Sequence, residues 1–243
     1  MPGPALLFDL DGTLVDSAMG IAVALSVMAS ERGGHAIRAE QVRPLLSRGA
    51  SELVSTSLGP LAGDGAADLA TFRQHLSRVP ADPAMIYPGV VSALIRLADF
   101  GMPMAIVTNK PESLARQLLD ALDLARFFKV VVGGDTLSAA KPDPAPLRHA
   151  LAELGHDGAA IMIGDSEIDA AAAAAATIPF VLYIGGYGAA QCADLPVHVR
   201  FGSFSALPAM VTELFRVWSC DLVRAPVLNA GHIDASEAVI SRG

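Results

Sequence analysis

Short apolar runs and helical stretches alternate along most of the chain. The runs at residues 5–10, 104–108, 129–133, 160–164 and 180–184 are each of strand length, and Gly, Pro, Asn or Asp lie close to their ends. Near-continuous apolar runs of this kind predict strands buried on both faces. Helical patterns fill the gaps between the last four. In residues 90–100, Val90, Val91, Leu94, Leu97 and Ala98 fall near one face after a Pro88-Gly89 turn. Residues 111–122, 143–154 and 203–218 also read as helices. Strands alternating with helices of this length predict an α/β fold with a parallel sheet covered on both sides.

The first gap breaks the rhythm. Roughly 90 residues separate the first run from the second, where a simple crossover needs about a dozen or more. Residues 16–87 read as helical, with segments at 17–33, 39–46, 50–58 and 66–78 punctuated by Gly, Pro and Asp. The pattern predicts a small helical domain inserted after the first strand, where it would form a lid over a site. The remaining residues, 1–15 and 88–224, would form the core, and 225–243 a tail of unassigned role.

Composition narrows the class. The chain has 243 residues, 52% hydrophobic and 17% charged, which suits a compact globule and excludes a disordered chain. Its net charge of −8 argues against nucleic acid as partner. The most apolar stretch, residues 170–184, is mostly alanine and contains Pro179, so it reads as helix end, turn and strand and not as a membrane span. No leader is legible, and the two cysteines, Cys192 and Cys220, make no disulfide framework, so a cytoplasmic setting is expected. The chain is expected to act as a monomer or homodimer.

Candidate chemistry gathers at the strand ends. Phe8-Asp9-Leu10-Asp11-Gly12-Thr13 sets two carboxylates two residues apart beyond the first strand. Alternate strand residues share a face, and Gly12 lets the chain turn close by. Thr108-Asn109 closes the second strand, Gly164-Asp165-Ser166 the fourth, and Lys141, one of only three lysines, follows the third. Open α/β sheets bind ligands beyond the carboxyl ends of their strands. Acids converging there repel unless a cation joins them, and a hard divalent ion such as Mg²⁺ suits such oxygen ligands.

These four motifs, in this order, resemble the haloacid dehalogenase superfamily in its phosphatase branch. The stretches 132–136 and 141–147 look like the phosphoglycolate phosphatase group, and the likeness spans about residues 5–216. The resemblance implies a Rossmann-like core with an inserted helical cap. It also implies Mg²⁺-dependent hydrolysis of a small phosphorylated metabolite, best matched by 2-phosphoglycolate, through an aspartyl phosphate. Asp9 would be the nucleophile and Asp11 the acid and base, with Thr108, Asn109 and Lys141 holding phosphate. Asp9, the Asp11 backbone carbonyl and Asp165 would hold Mg²⁺, with Asp169 acting through water or orienting Asp165. Relatives of other chemistry lack the second acid or use a cap lysine, and residues 16–87 contain no lysine.

Arg48, in the Ser47-Arg48-Gly49 loop, is the first candidate to pair with a substrate carboxylate, and Arg43 the second. Lys110 reads as a surface or phosphate-edge residue, and Tyr183, Tyr187 and Trp218 as packing. Plainer readings stand beside these. Thr108 could cap the following helix, and Asp165 or Asp169 could complement a helix N-terminus. The rival functions are a phosphomutase on the same core, a phosphatase for a sugar phosphate, amino-sugar phosphate or pyrophosphate, and a non-catalytic binding protein.

Overall fold

The computed structural model describes residues 3–193, 195 and 197–220; the expectations for residues 221–243 lie outside them, as do those for the side chains of Trp218 and Cys220. Six parallel strands form one sheet: β1 Ala5–Phe8, β2 Met104–Val107, β3 Val130–Val132, β4 Ala160–Gly164, β5 Phe180–Tyr183 and β6 Val199–Phe201. Their spatial order is β3-β2-β1-β4-β5-β6. β6 escapes the sequence pattern because it is three residues long with Arg200 at its centre. The order reverses direction at β1 and β4, and the crevice beyond that switch point is where such sheets bind ligands.

Alternation along β1 feeds two apolar layers. Leu6 and Phe8 pack with α5 (Val90–Asp99), α6 (Glu112–Ala121) and α9 (Leu207–Cys220). Ala5 and Leu7 pack on the other face with α7 (Ala145–Glu153) and α8 (Glu167–Ala176). In α8, Ala172 and Ala173 are wholly buried, so small side chains bring that helix close to the sheet. Thr177 ends α8 in the left-handed region (φ 62°) and the chain turns into β5.

Between β1 and β2 lie α1 (Ala18–Glu31), α2 (Ala39–Val42), α3 (Ala50–Leu58) and α4 (Gly65–Leu76). They close around an apolar cluster of their own that includes Ile21, Leu25, Met28, Leu53, Leu58 and Phe72. The segment expected as one helix over 39–46 divides: α2 gives way to a tight 3-10 turn over Arg43–Arg48, with Pro44 near its start. Asp64 caps α4 by accepting from the Ala67 amide at 2.9 Å. The two connectors to the sheet run side by side. Val15 pairs antiparallel with Ile86, the Asp16 amide donates to Met85 O, and the Tyr87 amide donates to Leu14 O.

Candidate active site

β1 ends at Phe8, two residues earlier than the apolar run suggests, so Asp9 and Asp11 leave the strand together. The Asp9 amide donates to Ile163 O at 2.9 Å and holds the chain beside β4. Gly12 then turns at φ +87°, where a Cβ would also press on the Asp165 carboxylate. Asp9, Asp11, Thr108, Asn109, Lys141, Asp165 and Asp169 all line one cavity of about 140 Å³. Its far wall comes from the inserted helices through Ile21, Leu46, Leu53, Phe72, Arg73 and Leu76.

Lys141 organises the floor. Its ammonium donates to Val107 O at 2.7 Å and to Asp169 Oδ1 at 2.6 Å, and lies 3.0 Å from Asp9 Oδ1. That last approach is off the line a hydrogen bond needs, so Asp9 Oδ1 is buried with a charge nearby and no donor. Burial alone would lower the Lys141 pKa; Asp169 and then Asp9 outweigh it and raise it. The Asn109 side chain donates through Nδ2 to Lys141 O at 2.9 Å and fixes the lysine loop to the end of β2. Thr108 Oγ1 accepts from the Lys110 amide, and α6 begins behind Pro111 with no side-chain cap, so Thr108 does not serve as one.

The acids beyond β4 are cross-linked too. Asp169 is wholly buried; its Oδ2 accepts from the Ser166 hydroxyl and from the Ser166 and Asp165 amides. It therefore closes a capping box on α8 and pairs with Lys141 at once. Asp165 Oδ1 accepts from Thr13 Oγ1 at 2.9 Å, and Oδ2 from the Tyr187 and Gly188 amides. Thr13 and Tyr187 have parts here that their residue types alone did not announce; the Gly185-Gly186 turn after a strand end was the available signal.

Burial pushes the Asp9 pKa up to about 6, the opposing pull of Lys141 being the next largest influence. Burial, with Asp169 and Asp9 adding repulsion, pushes Asp165 up to about 8. Oxygens of Asp9, Asp165 and Asp169 lie within 4.8 Å of one another. In the core wall four carboxylates face the two ammonium groups of Lys110 and Lys141. The donor set is all oxygen, Asp9 Oδ1 lacks a donor, and the acids ionise reluctantly without a cation, so these residues fit a hard divalent ion. The Asp11 carboxylate stands outside this cluster, against Lys110.

Arg48 does not reach the cavity. Ser47 and Gly49 line it, but Arg48 turns along α3 to Glu52 at 3.2 Å, an i,i+4 ion pair with both partners about half exposed. Arg43 is also committed: its guanidinium donates to Asp16 at 2.5 Å and lies over the Tyr187 ring. Burial would raise the Asp16 pKa; hydrogen bonds from Tyr187 and Arg43 outweigh it and hold it low.

The haloacid dehalogenase-like hydrolase model matches residues 6–183. The chain belongs to that family. Among its relatives, a phosphoglycolate phosphatase of Rhodobacter capsulatus is 40% identical over 212 residues, covering 86% of this chain and 96% of that protein. Another, of Rhodospirillum rubrum, is 40% identical, covering 84% and 88%. A solved hydrolase of the superfamily from Geobacter sulfurreducens superposes with a TM-score of 0.66 at 25% identity, covering 86% of this chain and 96% of its own. Like that solved hydrolase, the chain is an α/β protein built on a parallel sheet. No helix among the described residues is long and apolar enough to cross a membrane.

Proposed function

We propose that this hydrolase is a phosphoglycolate phosphatase, cleaving 2-phosphoglycolate to glycolate and phosphate in the cytoplasm. The observation that carries the reaction class is Asp9: a buried carboxylate oxygen with no hydrogen-bond donor, 3.0 Å from Lys141 Nζ, at the base of the cavity. That oxygen is free to attack phosphorus, and Lys141 offsets the charge of the incoming phosphoryl group. Asp11, on the same cavity wall, protonates the ester oxygen and then takes a proton from water. Thr108 Oγ1 and the Asn109 backbone N–H support the phosphoryl oxygens.

Asp9, Asp165 and the Asp11 carbonyl would hold Mg²⁺, which supplies charge neutralisation to the phosphoryl oxygens. Asp169, with both oxygens already accepting, acts by fixing Asp165 and Lys141. Residues 16–87 serve as a cap that walls the cavity. The names of the relatives favour 2-phosphoglycolate as the substrate.

The test is phosphate release across 2-phosphoglycolate, sugar phosphates, amino-sugar phosphates and pyrophosphate, with Mg²⁺ and with EDTA. We expect Mg²⁺-dependent preference for 2-phosphoglycolate, and a loss of about 10⁴-fold or more in Asp9→Asn with the fold retained. Retained turnover in a folded Asp9→Asn protein would sink the nucleophile assignment. Isomerised sugar phosphate with a bisphosphate requirement would return the mutase reading.

A further inference from the structure

One charged contact in the cavity is not used by the phosphoryl chemistry. Lys110 Nζ lies 3.1 and 3.2 Å from the two oxygens of Asp11, and its side chain is only 8% exposed. The backbone beneath it is fixed: its amide donates to Thr108 Oγ1 and its carbonyl accepts from the Gly134 amide. The four-carbon stem above that anchor can change partner while its origin stays put.

Given the roles assigned above to Asp9 and Asp11, on which this inference rests, the rest of the substrate is confined. Asp11 meets the ester oxygen. In a phosphorylated 2-hydroxy acid the carboxyl carbon lies two covalent bonds beyond that oxygen. A cation already bonded to Asp11 is therefore within reach of the carboxylate. The other cations are placed less well. Lys141 is committed to Val107 O, Asp169 and Asp9, Arg48 to Glu52, and Arg43 to Asp16. Arg73 lines the cavity from α4, exposed and with no ion-pair partner among the described residues, and is the rival.

We propose that Lys110 is the specificity-determining residue that receives the substrate carboxylate, exchanging its ion pair with Asp11 for one with the substrate. Because one carboxylate replaces another, the largely buried ammonium is never left unpaired, which is the costly state. The same exchange frees Asp11 to face the ester oxygen. The favoured substrate class is a small phosphate ester with a carboxylate on the carbon that bears the ester. A phosphoester without that group leaves Lys110 on Asp11.

The experiment compares kcat/KM for 2-phosphoglycolate with that for ethyl phosphate, in which a methyl group replaces the carboxylate. It uses the full chain with Mg²⁺, as wild type, Lys110→Met, Lys110→Gln, Lys110→Arg and Arg73→Met. The ratio of the two values within each variant cancels any effect on folding or on the phosphate-holding groups common to both substrates. The fall must appear in the 2-phosphoglycolate value itself, because loss of Lys110 also frees Asp11 towards ethyl phosphate. We expect the ratio to fall by about tenfold or more in Lys110→Met and Lys110→Gln. It should recover in part in Lys110→Arg and stay unchanged in Arg73→Met. Lys110→Gln keeps donors for Asp11, so it reports even where Lys110→Met fails to fold. An unchanged ratio in both neutral variants, or a fall in Arg73→Met alone, overturns the inference. A wild-type enzyme that hydrolyses other phosphoesters but neglects 2-phosphoglycolate fails earlier, at the substrate reading itself.

Discussion

The two walls of the cavity are held together by different means. On the sheet side, polar groups are bonded across elements. Asp169 joins α8 to Lys141, Asp165 joins the end of β4 to Thr13 and to the amides after β5, and Asn109 joins β2 to the lysine loop. On the side of the inserted helices the lining is mostly apolar, through Ile21, Leu46, Leu53, Phe72 and Leu76. Most charged groups of those helices pair away from the cavity, as Arg32 does with Asp68 and Arg48 with Glu52, and Arg73 is the charged side chain they bring to its lining. One wall is a cross-linked polar network in which each group's position depends on its neighbours. The other is a packed surface whose shape sets the volume. Changes to the first should cost stability and chemistry together, and changes to the second mainly specificity.

The largest break in that comparison should come from Asp169→Ala. It removes the closest partner of a wholly enclosed ammonium, and breaking such a pair typically costs about 3–5 kcal/mol. Urea unfolding without metal would measure it; a loss below about 1 kcal/mol would mean that Lys141 does not depend on the network.

Metal and pH come next. The Asp9 and Asp165 acids are raised from 3.8 to about 6 and about 8, so the folded state keeps protons that the unfolded chain releases. In EDTA, the contribution of these groups to stability should be greatest below about pH 4 and fall as pH rises through about 6 and then about 8. Mg²⁺ competes with those protons, so at one fixed Mg²⁺ concentration its stabilisation, about 2.7 kcal/mol where that concentration is a hundredfold above Kd, should be larger at pH 8 than at pH 5. Melting curves at the two pH values decide it, and equal Mg²⁺ shifts would contradict the reading.

Ala173→Leu should sharpen the contrast within the core. It overpacks the close seat of α8 on the sheet and should cost about 1–3 kcal/mol with the acids untouched. A lower melting temperature with kcat/KM for 2-phosphoglycolate within a few-fold of wild type is expected. Arg48→Ala should do least. The pair with Glu52 is exposed, and such pairs contribute about 0–1 kcal/mol. The relative use of 2-phosphoglycolate and ethyl phosphate should be unaltered, and a selective loss on the carboxylated substrate would show that Arg48 leaves Glu52 when substrate binds.

Much of the polar wall was legible because its residues sit at strand ends, where a parallel sheet gathers them irrespective of loop detail. Asp9, Asp11, Thr108, Lys141 and Asp165 could be named from that rule and their motifs. Sequence locates the Arg48 loop but not the direction of its side chain, which lies along Glu52 in the structure. Lys110 was passed over for the same reason: adjacent to a motif, it looks like a surface lysine until the fold sets Asp11 opposite it. Tyr187 reaches the site through its backbone amide, which no side-chain motif records.

Periodicity and local motifs therefore determined the parallel α/β core, the inserted helices and the strand-end acids, since each depends on neighbours within a few residues along the chain. Tertiary structure alone decided the partners: Lys141 with Asp169, Lys110 with Asp11, Thr13 with Asp165, Arg43 with Asp16. Those pairs join residues 27 to 152 positions apart. Their energies depend on burial and on distances of about 3 Å, which only the packing of separate elements fixes.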